Sequence, residues 1–341
     1  MAVVTTTRDR ENLAPAEAGQ LKTTWIRFRR HRLGVLGLVT LSIIALATII
    51  VPMIIPFKYS EIDNEALFPD PRNPALAASI DFKPAMWTAP VSGKTHYLGT
   101  DRIGRDNMAR LFFGGRISLA VGLVTAILVI IIGSAVGALA GFYGGWVDTL
   151  LMRFVDLLLA LPILPILLIV SKMLEQSNIM KNAFGPVLGT VITIIIVLTV
   201  FGWLSISRLV RGSILSLRSL DFVEATRALG ANNRRIIVRH LLPNSLAPII
   251  VAATLAVGDF IITESFLSFL GLGVRDPVPS WGNLLEGAQE YSSAIARSIN
   301  PFEEIRGYLI LFPGALILLT VLSINFMGDA LRDALDPRLK M

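Results

Sequence analysis

Acidic side chains embedded in long apolar runs are the first places in this sequence where chemistry could reside. Asp156 falls in a run from about Val147 to Ser171, together with Arg153, while Asp259 and Glu264 share a run from about Leu246 to Leu272. An ionised carboxylate in hydrocarbon is costly unless it faces protein or water. Such residues are therefore candidates for a structural contact between helices, a gate or a proton relay. The second concentration of polar groups is EATRALGANNRRIIVRHLLPN, residues 224–244, which is basic and flanked by two of the most apolar segments of the chain. Its residue types suit docking rather than bond-making.

Other tempting features carry less. With no cysteine, disulfides and thiolate metal sites are excluded, and His31, His96 and His240 are too scattered for a metal motif. The stretch VSGKT at 91–95 lacks the glycine that a phosphate-binding loop requires at position 88, which is Thr88. His96 directly after it has no neighbouring ligand types and is expected to be a surface histidine. No nucleophile elbow or paired-histidine zinc motif is present. Neither catalysis nor a metal site is expected of this chain.

These groups must be positioned by membrane helices. Of 341 residues, 53% are hydrophobic and only 16% charged, and the mean hydropathy is +0.66, far from the balance of a soluble domain. The net charge of +6 fits the basic residues that polytopic membrane proteins collect on one face, and no nucleic-acid motif accompanies it. Charge-free runs from Leu33 to Ile55, Ile117 to Tyr143, Asn182 to Ser207 and Tyr308 to Gly328 are long enough to cross a bilayer. With the two charged runs above, six transmembrane helices are predicted in an all-α polytopic membrane protein. The polar segment before the first is too long and too acidic for a signal peptide, so that helix is expected to stay as an anchor.

Orientation follows from arginine. Arg27, Arg29, Arg30 and Arg32 precede the first span, and Arg208, Arg211, Arg218, Arg227, Arg234, Arg235 and Arg239 cluster between the fourth and fifth. Both regions are expected on the cytoplasmic side, which places both termini there as well. Arg102, Arg105, Arg110 and Arg116 oppose this bias, but long loops translocate largely regardless of charge. The organisation predicted is a cytoplasmic tail (1–32), a first span (33–55), an extracytoplasmic segment (56–115), a core of five spans (116–330) and a cytoplasmic tail (331–341). The core includes a cytoplasmic loop at 208–245 and an outer loop at 273–307.

The polar insert thus falls in the longest cytoplasmic loop. DFVEATRAL contains good helix formers and places Phe222, Val223, Ala225, Ala228 and Leu229 near one apolar arc, with Glu224 and Arg227 three apart. Gly230 reads as a helix stop at positive φ, Asn232 or Asn233 as the cap of a second helix, and Pro243 as a break before the fifth span. On these grounds alone, a surface helix lying on anionic lipid and a rigid docking hairpin both stand.

The spacing favours the second. Glu224, Ala225, Gly230, Leu242 and Pro243 match the pattern Glu-Ala-Ala, three residues, Gly, nine residues, Ile, one residue, Leu-Pro, with Thr226 and His240 as departures. This resembles the EAA loop of ABC-importer permeases. HYLGTDRIGRDNMARLFFGGRISL, GFYGGWVDTLLMRFVD, ESFLSFLGLGV, PSWGNLLEGA and FPGALILLTVLSINFMGDALRDALDPRLK extend the likeness, in order, to the C-type permeases of dipeptide and oligopeptide importers.

The resemblance implies a MetI-like ABC-importer permease fold in the plasma membrane of a bacterium or archaeon. It implies as partners a second, B-type permease, two cytoplasmic ABC ATPases that hold ATP and magnesium, an outer binding protein and membrane lipid, with no cofactor on this chain and no nucleic acid. Ala228, Leu229, Gly230 and Ala231 would enter an ATPase groove, with Glu224 and Arg227 at its rim. Relatives of this family also import nickel complexes and oligosaccharides, so cargo stays open. A secondary transporter, which should show two related halves, and a membrane-bound enzyme are the alternatives. Asp259 has no counterpart in the resemblance.

Overall fold

The computed structural model describes residues 20–63, 86–88, 93–101, 103–177, 179–295 and 308–335. The tail before Gln20, residues 64–85, 89–92 (including Ser92) and Arg102 of the predicted outer segment, Asn178, residues 296–307 and the tail from 336 lie outside the described residues. In chain order the elements are α1 (Gln20–Arg30), α2 (Arg32–Ile54), the two-residue strands β1 (Trp87–Thr88) and β2 (Thr95–His96), α3 (Asn107–Tyr143), α4 (Gly145–Leu159), α5 (Ile163–Ser177), α6 (Ile179–Phe184) and α7 (Pro186–Leu217). There follow α8 (Asp221–Ala228), α9 (Asn233–Ile236), a π-helical turn at Ile237–Leu241, α10 (Leu242–Asn244), α11 (Leu246–Phe269), α12 (Trp281–Ile295) and α13 (Tyr308–Leu335).

Among the described residues five helices, α2, α3, α7, α11 and α13, are long and apolar enough to span a bilayer, with mean hydropathies between 2.1 and 2.7. The remaining predicted span is α4 and α5 together, bent by 86°. Ala160 caps the end of α4, and Leu161 and Pro162 follow it; proline disfavours helix in the residue before it and supplies no N–H, so the helix stops and restarts. The spans number six only if this bent pair is taken as one.

Helix limits also shift. Instead of starting at Ile117, α3 starts at Asn107, where the Asp106 side chain caps it by accepting from the Ala109 N–H at 2.6 Å. The extension carries Arg110 and Arg116, which a charge-free criterion would not admit. Arg116 is held by donating to the carbonyls of Thr48 and Ile49 at 2.6 and 2.7 Å, at the far end of α2.

The bundle is built around α3 and α7, which lie against each other along most of their lengths. Gly133, Gly137 and Gly141 recur every fourth residue on the shared face. A Cβ at Gly137 would stand 2.4 Å from the Ser207 carbonyl oxygen and 2.9 Å from the Val210 Cβ. In a membrane, where apolar surface gains little by leaving lipid, such backbone approach is what holds helices together. The same device joins α2 to α13, where a Cβ on Gly37 would meet the Ser323 carbonyl at 2.5 Å. One apolar core joins Val129, Ala138, Phe142, Ile206, Val210 and Ile214 of the central pair to residues of the polar insert.

Candidate functional site

The insert between α7 and α11 is a helix, a turn and a helix. Gly230 has φ +84°, a conformation that costs other L-residues about 1–2 kcal/mol, and a Cβ there would have nothing within 4 Å. After it, the Asn232 side chain accepts from the Arg235 N–H at 2.9 Å and caps α9. Beyond α9 the Leu242 N–H bonds to the Ile237 carbonyl, five residues back, so the chain widens into a π-helical turn just ahead of Pro243. A widened turn leaves room for a proline ring that would otherwise strike the preceding carbonyls. The path from α9 to α11 is thus nearly continuous helix.

The apolar arc predicted on α8 is divided. Val223 is fully buried, with Ile236, Ile237 and Leu241 from the second limb, in the core made by α3 and α7. Each fully buried aliphatic side chain there contributes about 1.5–3 kcal/mol. Ala225, Ala228 and Leu229 point the other way, and Leu229 is 88% exposed. Glu224, Arg227 and Gly230 are also exposed, while Ala231 and Leu242 are half-buried and Pro243 is exposed. The base of the hairpin is therefore fixed and its tip presents a leucine between charged groups.

The intramembrane acids are placed differently from one another. Glu264 is fully buried; its carboxylate accepts from the hydroxyls of Ser118 at 2.9 Å and Ser268 at 2.7 Å. Those hydroxyls in turn accept the N–H groups of Trp281 at 3.2 Å and Val274 at 2.9 Å. The segment between α11 and α12 is thereby tied to the bundle. Asp156 does not pair with Arg153, its neighbour within the span; it binds Arg208 of α7. Asp148, also on α4, accepts from Arg211 of α7, one contact being 2.6 Å. Asp259 is exposed on α11.

A third polar cluster lies at the opposite end of the bundle from the hairpin. His96 is not a surface residue. It is fully buried, stacked on Phe57 with ring centroids 4.0 Å apart, and bonded through Nδ1 to Asp106 at 2.9 Å and Nε2 to Asp63 at 3.0 Å. Burial alone would lower its pKa, but hydrogen bonds to Asp106 and Asp63, with their charges, hold it above the ordinary value. Nearby, Arg105 grips Asp276 with two parallel bonds of 3.2 and 3.1 Å, and Arg110 adds one of 2.7 Å. Burial would raise the Asp276 carboxyl, yet these two guanidinium groups keep it below the usual range.

Residues 133–341, more than half of the chain and including the hairpin, match the family model described as the binding-protein-dependent transport system inner membrane component. The chain belongs to that family. Residues 19–73 match a second model, the N-terminal transmembrane domain of oligopeptide transport permease C. Among its relatives are the oligopeptide transport system permease proteins OppC of Haemophilus influenzae, 35% identical over 92% of this chain and 86% of that one, and of Bacillus subtilis, 33% identical over 97% and 94%. A putative peptide permease of Brucella suis is 36% identical over 96% and 94%. The fold resembles that of a chain in the inward-facing structure of the MetNI methionine ABC transporter, with a TM-score of 0.50 at 21% identity, covering 67% of this chain and 98% of that chain.

Within this permease, several residues that position the site carried little signal in sequence. Ser118, Arg208, Arg211 and Asp276 are each separated from their partners by fifty or more residues. The usable hint was the acid itself. A charge in or beside a span requires a partner, and the arginines at 208 and 211, first read as topology markers, are those partners.

Proposed function

We propose that this permease forms half of the translocation pathway of an ATP-driven, binding-protein-dependent importer of dipeptides or oligopeptides, and that residues 221–243 couple it to cytoplasmic ATPases. The carrying observation is the hairpin itself: a tip with Leu229 88% exposed, on a base whose Val223, Ile236 and Leu241 are fully buried between α3 and α7. A lever has to be stiff where it enters the machine and adhesive where it is driven. Closure of an ATPase pair on ATP can then displace α8, and the buried base passes that displacement to α7 and α11.

On this reading ATP and magnesium are bound and used by the partner subunits, a second permease completes the pathway, and an outer binding protein supplies cargo. Both termini and the hairpin face the cytoplasm of a bacterial or archaeal cell, and the His96 cluster faces outward. The peptide names of the relatives at about 35% identity support the choice of cargo. A helix lying on lipid would direct Phe222, Val223, Ala228 and Leu229 to one surface; here Val223 turns inward, which disfavours that reading.

The test is a cross-link. In the complete complex, Leu229→Cys should join to an ATPase subunit and react with impermeant thiol reagents only from the cytoplasmic side, whereas Tyr97→Cys should react only from outside. Lipid adducts at Leu229 with no ATPase cross-link would reinstate the surface helix.

A further inference from the structure

Asp259 stands near the midpoint of the 24-residue α11. Among the described residues no hydrogen bond or ion pair reaches its carboxylate; only its backbone carbonyl is engaged, accepting from the Thr263 hydroxyl at 2.8 Å. In this it differs from Asp148, Asp156 and Glu264, each of which has a partner within the chain. A carboxylate at that depth has to face water or a polar group rather than lipid tails.

The structure provides such a place. Asp259 lines a cavity of about 290 Å³, whose other walls include Leu159 and Ile163 from the two arms of the bent span, and Gly202, Ser205 and Thr263. This volume is near the lower end of small-ligand sites, which run from roughly 300 to 1,000 Å³, and is ample for water. No lysine or arginine is among the residues lining it. Leu159 is also the last residue of α4, and the C-terminal end of a helix carries partial negative charge on carbonyls that have run out of partners. Ile163 is the first residue of α5, whose N-terminal end carries the opposite partial charge, so the two helix ends offset each other and the Asp259 carboxylate is the one formal charge on a cavity whose largely apolar walls weaken dielectric screening.

We infer that this cavity receives the cationic amino end of the transported peptide, with Asp259 as its counter-charge. The inference rests on the peptide-importer reading above and deepens it. Broken helices are where transporters bind charged substrate groups and ions, and at this break the formal charge facing the cavity is the Asp259 carboxylate. A hard metal ion would need several oxygen ligands, and one carboxylate does not supply them. An ammonium group needs fewer, and the Ser205 and Thr263 hydroxyls are available to accept its remaining protons. The apolar walls suit the body of a short peptide and discriminate little among side chains.

The experiment has two parts, both on the complete complex with its partner permease and ATPases. Equilibrium binding of radiolabelled trialanine and of N-acetyl-trialanine is measured without the binding protein, so that this chain's preference is read directly. Wild type should hold trialanine about tenfold more tightly than the acetylated form, a difference of about 1.4 kcal/mol. Asp259→Asn should abolish the preference, and Asp259→Glu should retain part of it. Uptake of trialanine with binding protein present should fall in Asp259→Asn while the subunits still co-elute.

No preference in wild type, or an unchanged preference in Asp259→Asn, overturns the inference while leaving the peptide reading intact. Dissociation of the two permeases in Asp259→Asn overturns it in favour of a charge pair with the partner subunit. Failure of the wild-type assembly to import trialanine at all overturns the peptide reading and this inference together.

Discussion

Glu264 of α11 and Ser118 of α3 meet at 2.9 Å in the interior of the bundle, and the same serine accepts the backbone N–H of Trp281, the first residue of α12, at 3.2 Å. One carboxylate thus links two long helices, and through the shared serine the start of α12. The indole of Trp281, fully buried, completes the joint by donating to the Leu111 carbonyl at 3.1 Å.

Removing the acceptor should loosen it. Glu264→Ala leaves the hydroxyls of Ser118 and Ser268 buried without an acceptor, at about 1–3 kcal/mol for each group stranded. Glu264→Gln keeps one carbonyl oxygen and should lose less. Thermal unfolding of the purified permease in detergent reads the order wild type, Gln, Ala; equal stabilities would mean that the network contributes nothing.

Close packing between α3 and α7 makes a sharper prediction. Gly137→Val places a Cβ 2.4 Å from the Ser207 carbonyl oxygen and must push the helices apart, destabilising by roughly 1–3 kcal/mol or more. Gly212 on α7, with nothing within 4 Å of a Cβ, is the control: Gly212→Ala should be neutral or stabilise by up to about 1 kcal/mol through helix propensity. Expression level and melting temperature should separate the two variants.

At the hairpin, stability and function should come apart. Gly230→Val meets no neighbour and suffers only backbone strain at φ +84°, about 1–2 kcal/mol. The variant should insert normally yet lose substrate-stimulated ATP hydrolysis and uptake in the reconstituted complex, and Glu224→Ala should weaken the same step less. Normal uptake by Gly230→Val at normal expression would remove the hairpin from the coupling path.

The His96 cluster should confer a pH dependence of definite sign. Only the imidazolium can donate to Asp106 and Asp63 at once; the neutral ring donates from one nitrogen and leaves the other carboxylate without a proton to accept. Because the folded-state pKa is raised, the stabilisation is complete below the unfolded value of about 6.5 and is lost as pH rises through the folded value. The melting temperature should therefore fall across that window in wild type and lose this component in His96→Gln. A wild-type profile that rises there would contradict the clamp.

What the sequence determined by itself are features whose causes are local. Spans of apolar residues need no partner to be recognised, because the bilayer sets their length. Gly230 and Asn232 declare a turn and a cap because positive φ and an unpaired helix N–H are requirements of a few adjacent residues. The EAA spacing and the family likeness were legible for the same reason, being patterns along the chain.

The tertiary structure decided whatever depends on residues far apart. His96, isolated in sequence, becomes buried because Asp63 and Asp106 close on it from either side. Arg110 and Arg116 enter a long helix because Asp276 and the carbonyls of Thr48 and Ile49 receive them. Asp156 takes Arg208 rather than Arg153 because α4 lies beside α7 in space. The α8 arc divides because the core of α3 and α7 takes Val223 while Leu229, just past the end of α8, faces away from it. In each case the free energy of a charged or apolar group is set by its surroundings, and those surroundings exist only once the helices have packed.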